Sequence, residues 1–112
     1  MGRQGSEEEV SDKKYFSYED ACALLPEVQR LTESAYAEVE ALGEEVDETN
    51  DDFRRIVTDW ADQVISLGIE VKGLWLVDFD SGSGYYCWRH PEPGLQFFHG
   101  YEEGFRGRVQ LN

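Results

Sequence analysis

The chain has 112 residues, a length that suits one hydrophobic core and leaves no room for a second lobe. Its formal net charge of -14, from 24 acids against 10 lysines and arginines, repels phosphate backbones and excludes nucleic acid as an expected partner. Apolar content of 40% with 13% aromatics supports a packed core, yet no apolar run approaches the roughly 18 residues of a membrane-spanning helix, so no membrane partner is expected.

Residues 1–14 (MGRQGSEEEVSDKK) carry four acids, three bases and a single Val, and are expected to form a disordered acidic tail. They lack the apolar stretch of an export leader. With two cysteines in unlike contexts, Cys22 and Cys87, this points to a cytoplasmic protein with reduced thiols.

Order is expected from residue 15, as a single α+β domain over 15–112. Ser17 reads as an N-cap, with Asp20 three residues on as a capping-box acid. Pro26 lacks an amide donor and clashes with the turn before it, so either a longer helix kinks there or, the favoured reading, a short opening helix ends at Leu25 and Pro26 sits in the first turn of the main helix. Val28, Leu31, Ala35, Val39, Leu42 and Val46 then recur every three or four residues, the mark of an amphipathic helix. The polar stretch from Gly43 to Asp51 reverses the chain, with Thr49 or Asn50 available as the next cap. Phe53, Ile56, Val57, Trp60, Val64 and Leu67 make a second apolar stripe that ends at Gly68. The pattern predicts an antiparallel helical hairpin over 17–68, in which residues 15–70 hold fifteen acids against three bases.

After Gly68 the apolar period shortens to two. Val71, Gly73, Trp75, Val77 and Phe79 alternate along one predicted strand that turns at Asp80 to Gly84. Tyr85 to His90 forms the second, His90 to Gly94 turns, and Leu95 to His99 returns, giving a three-stranded antiparallel β-meander over 70–99. Residues 100–112 read as an irregular tail. So small a sheet needs its apolar face covered, so the hairpin is expected to pack on it, with Leu31, Val39, Trp60, Val64 and Trp75 in one core.

Several segments resemble, in order, the signatures of a bacterial family catalogued as domain of unknown function 2203. They are Tyr15-Phe16-Ser17, Ala23-Leu24-Leu25-Pro26, Leu67-Gly68-Ile69-Glu70-Val71-Lys72 and Val77-Asp78-Phe79. Cys87-Trp88-Arg89, Glu92-Pro93, Phe98-His99 and Gly104-Phe105-Arg106-Gly107-Arg108 continue the pattern, which covers about residues 15 to 111. Cys22 stands where the family pattern shows Asn, and His90-Pro91 where it shows Leu-Gly. The resemblance implies a fold and brings no activity with it.

The ligand-type residues gather in the sheet half: Asp78, Cys87, Glu92, His99 and Glu102 or Glu103. Thiol, imidazole and carboxylate together suit a divalent metal such as Zn²⁺ or Mn²⁺, although no Cys-x-x-Cys or His-Glu-x-x-His spacing is present. The plain alternatives are a small apolar role for Cys87 in an aromatic strand and a packed, hydrogen-bonded role for His99. Strand parity bears on the pair. A four-residue Pro91-Glu92-Pro93-Gly94 turn would set Cys87 and His99 on opposite faces, with His99 beside Trp88 and Tyr86, whereas an odd-length turn or one bulge would bring them together. Arg89 and Arg108, with Arg106, are candidates for a small anion site, or else pair with acids such as Asp78 or Glu92. Aromatic residues exceed what a thin sheet and two helices need, which points to a homodimer. Two functions are consistent with this reading. One is a metal or small-anion binder acting at the polar end of the sheet. The other is a structural or adaptor module that docks through its acidic hairpin.

Overall fold

In a computed structural model of the chain, which describes residues 13–111, Ser17 opens the first helix by accepting the Asp20 amide on its Oγ at 3.0 Å. Helix α1 spans Tyr18–Ala41 and runs through Pro26. The expected break at Leu25 does not occur. A mid-helix proline forfeits one backbone bond, but the turn before it is anchored from three sides. Ala21 and Leu25 are buried in the core, the Ser17 cap fixes the start, and the Tyr18 hydroxyl donates to the Leu95 carbonyl at 2.9 Å. Tertiary packing therefore outweighs a local penalty of about 3 kcal/mol.

Helix α2 spans Asp51–Ser66, with the side chain of Asn50 accepting from the Phe53 amide at 3.0 Å. It stops at Gly68, whose φ of +89° is the left-handed conformation a helix terminus favours and a side chain resists. The two helices meet through a polar contact inside the apolar stripe: the Trp60 indole N–H donates to Thr32 Oγ1 at 2.8 Å, both residues being buried.

The sheet has five antiparallel strands in the order β1-β2-β3-β4-β5: Glu70–Gly73, Leu76–Asp80, Tyr85–Arg89, Phe97–His99 and Val109–Gln110. The three-stranded meander is thus corrected at both ends. The stretch expected as one strand folds back at Leu74-Trp75, with Gly73 opposite Leu76. Trp75 takes a φ of +60° there, a conformation that costs a side-chain-bearing residue about 1–2 kcal/mol. Its indole offsets that cost by packing edge-on against Trp60 at 4.9 Å between ring centroids. At the other end the expected irregular tail supplies a short 3-10 turn, Phe105–Gly107, and then β5, which pairs with β4 through Phe98 opposite Val109.

One face of the sheet, with Val77, Phe79 and Trp88, joins the helices in the core; all three tryptophans are buried. Trp60, Val64 and Trp75 belong to that core, and Leu31 and Val39 pack against it partly buried. The opposite face carries Glu70, Lys72, Asp78, Asp80, Tyr85, Cys87 and His99. Of the expected disordered tail, residues 1–12 lie outside the described residues. Lys13 is described, and bridges Glu70 at 2.7 Å and Asp80 at 3.1 Å.

Candidate metal centre

The face turned from the helices positions three ligand-type side chains. Asp78 on β2 is directly opposite Cys87 on β3. On the next strand pair Tyr85 is opposite His99 and Cys87 opposite Phe97, so Cys87 and His99 are diagonal neighbours on one face. The opposite-face expectation is corrected. Strand β3 ends at Arg89 and β4 begins at Phe97, leaving seven connecting residues, 90–96, rather than four. Leu95 is drawn out of the ladder into the core, where it is buried. The connection is pinned inside by Glu92, whose carbonyl accepts the Trp88 indole N–H at 2.8 Å. An odd-length connection restores the parity that brings β4 into line.

Asp78, Cys87 and His99 are all buried, and one ligand atom from each lies within 4.8 Å of the others. The His99 ring is held at both nitrogens. Nδ1 is 2.9 Å from the Gly100 carbonyl, which can only accept, so Nδ1 carries a proton and donates it. Nε2 faces Asp78 Oδ2 at 3.0 Å, and the Lys72 ammonium donates to the same oxygen at 3.1 Å. Asp78 Oδ1 is buried with no hydrogen-bond partner among the described residues, an arrangement that costs free energy unless another group completes it.

Burial pushes the Cys87 thiol up to about 12; the charge and hydrogen bond of Asp78 act in the same direction, and the Arg108 guanidinium opposes them. Near neutral pH the sulfur is a thiol, a poor nucleophile, so cysteine-based covalent catalysis does not fit this state of the site. A pocket of about 320 Å³ opens over the group, with Lys72, Leu76, Glu103, Gly104 and Phe105 completing its walls.

The other residues singled out in the sequence are placed elsewhere. Glu92 is engaged by Arg108 in a two-pronged pair, at 3.1 Å from Nη1 and 2.8 Å from Nη2, and also accepts the Arg89 amide at 2.9 Å. Glu102 is exposed in a turn. Neither joins the group. Glu103 reaches the pocket wall, where its Oε1 accepts the Gly100 amide at 2.9 Å. Arg108 lies over the rings of Phe97 and Phe105, at 3.9 and 4.1 Å from their centroids, and its fork is filled by Glu92. Arg89 lies 5.6 Å over the same Phe105 ring. Lys72, Tyr85 and Gly100 are the members that sequence reasoning missed. Lys72 alternates in step with Asp78 along the sequence, but only the turn at Leu74-Trp75 brings the two side by side on neighbouring strands.

The fold and site define a small α+β domain whose five-stranded sheet packs helices on one face and a buried Asp-Cys-His group on the other. The chain belongs to the uncharacterised conserved protein family DUF2203, whose family model matches residues 14–111. Neither the curated proteins nor the solved structures include a significant match.

Proposed function

We propose that the protein binds a divalent transition metal, Zn²⁺ foremost, through Asp78, Cys87 and His99. The observation that carries this reading is the convergence of a carboxylate, a thiol and an imidazole within 4.8 Å, all buried, with one carboxylate oxygen left unpartnered among the described residues. Sulfur, nitrogen and oxygen ligands in one group suit a borderline cation, and the thiolate favours Zn²⁺ over Mn²⁺. The His99 tautomer supports it further. A ring whose Nδ1–H is donated to a backbone carbonyl presents its Nε2 to the site, as metal-ligating histidines commonly do. Three protein ligands leave a fourth position for water or an added ligand, reached from the pocket that Leu76 and Phe105 help to wall.

The test is a zinc titration of untagged, metal-stripped protein against a chromogenic chelator. One zinc per chain is expected, and His99→Ala abolishes it. Because burial keeps the Cys87 sulfur protonated near neutral pH, binding must expel that proton, so affinity in that range falls by at least about tenfold for each unit of acidification. Zinc binding that survives His99→Ala unchanged would assign the metal to the acidic helices and end this reading.

A second reading, a docking module, is supported by a different observation. A groove of about 530 Å³ runs between α2 and β1, lined by Phe53, Val57, Ala61, Val71 and Leu74, and Leu74 remains 48% exposed.

A further inference from the structure

We infer that Lys72 is the resident counter-cation of the Asp78–Cys87–His99 group, and that a divalent metal enters by exchanging for its ammonium, making the site a reversible metal holder. The inference rests on the metal reading above.

The Asp78 side chain is 2% exposed, and a carboxylate so buried needs a cation beside it. Lys72 supplies one at 3.1 Å from Oδ2, the same oxygen that His99 Nε2 approaches at 3.0 Å. A metal joining Nε2 to the Asp78 carboxylate would therefore sit beside the ammonium. The repulsion between a dication and an ammonium at such a separation is large, and one of the two must leave.

Lys72 is the group with an exit. Its side chain is 36% exposed, and the Glu70 carboxylate, 3.6 Å from Nζ and 29% exposed, is a second seat toward solvent. The Tyr85 ring, with Nζ 3.8 Å from its centroid, guides the ammonium between the two carboxylates. Arg108, the other cation near the group at 3.8 Å from Cys87 Sγ, has no such freedom. Its fork is filled by Glu92 and its plane is held between Phe97 and Phe105. The site thus holds one fixed cation and one exchangeable cation.

The experiment compares the unmodified protein with Lys72→Gln, whose amide still donates toward Asp78 without a charge, in zinc titrations against a chelator. The variant is expected to bind zinc at least about tenfold more tightly; equal or weaker affinity overturns the inference. Loss of the ammonium can destabilise the zinc-free variant, so a second measurement uses the unmodified chain. Lys72 is labelled with an amine-reactive N-hydroxysuccinimide ester and quantified by mass spectrometry, with exposed Lys14 as the internal reference. Saturating zinc is expected to accelerate Lys72 labelling several-fold relative to Lys14, and an unchanged ratio also overturns it. The two levels separate cleanly. Zinc binding that depends on His99 but is indifferent to Lys72 removes the exchange and leaves the metal reading, whereas zinc binding indifferent to His99 removes both.

Discussion

Thr32 shows what one hydroxyl does inside an apolar stripe. It is fully buried, and its Oγ1 receives the Trp60 indole N–H at 2.8 Å, tying α1 to α2 at the centre of the core. Thr32→Val keeps the volume and removes the acceptor, stranding a buried donor, so a loss of about 1–3 kcal/mol is expected. Urea denaturation checks this, and an unmoved midpoint would mean the indole has found another acceptor. The stripe of Val28, Leu31 and Ala35 was legible because apolar periodicity is additive and local. Thr32 was not, because its partner lies 28 residues away and a hydroxyl reads as polar until that partner is known. The same divide runs through the candidate site. Asp78, Cys87 and His99 stood out as ligand-type residues, but Glu92 and Glu102 stood out equally, and chemistry alone could not separate them. What separates them is Arg108, which claims Glu92, and the exposure of Glu102 in a turn.

Secondary elements were read correctly where capping chemistry marked their ends. Ser17 and Gly68 sit where they were expected, and of the two caps offered for α2 it is Asn50 rather than Thr49 that serves, because each satisfies a helix terminus by a local contact. Pro26 and the Leu74-Trp75 turn were misread for opposite reasons. Pro26 is a strong local signal overruled by the burial of Ala21 and Leu25. It is itself exposed, so Pro26→Ala can restore the missing amide donor without disturbing the core. A gain of about 1–3 kcal/mol is expected in chemical denaturation, and a loss would show that α1 needs the proline's distortion to reach the sheet. Leu74-Trp75 carries no turn signal at all. Two apolar residues with strand character bend because Trp75 has Trp60 and Tyr36 to pack against, and that is tertiary information. Gly84 is more easily explained after the fact: a side chain there would come within 2.4 Å of the Phe98 ring.

For the molecule as a whole, the α+β class and the packing of hairpin on sheet followed from two periodicities, while the five-stranded topology depended on one silent turn and one short terminal strand. Among the described residues no helix is long and apolar enough to cross a membrane. The groove between α2 and β1 is an apolar surface open to an interface. If a second copy fills it, light scattering at micromolar concentration will give twice the 12.9 kDa of one chain. Moderate salt is the right condition, since about 0.15 M screens the mutual repulsion of acidic helices. A mass of one chain would leave the groove to another partner or to none. The odd-length connection between β3 and β4 has a consequence at the level of inheritance. A loss or gain of a single residue within 90–96 that the connection did not absorb as a bulge would turn His99 to the other face, away from Asp78 and Cys87. Among DUF2203 members that keep the group, the pairing of His99 opposite Tyr85 should therefore be retained more faithfully than the length of this loop or the identity of any residue within it.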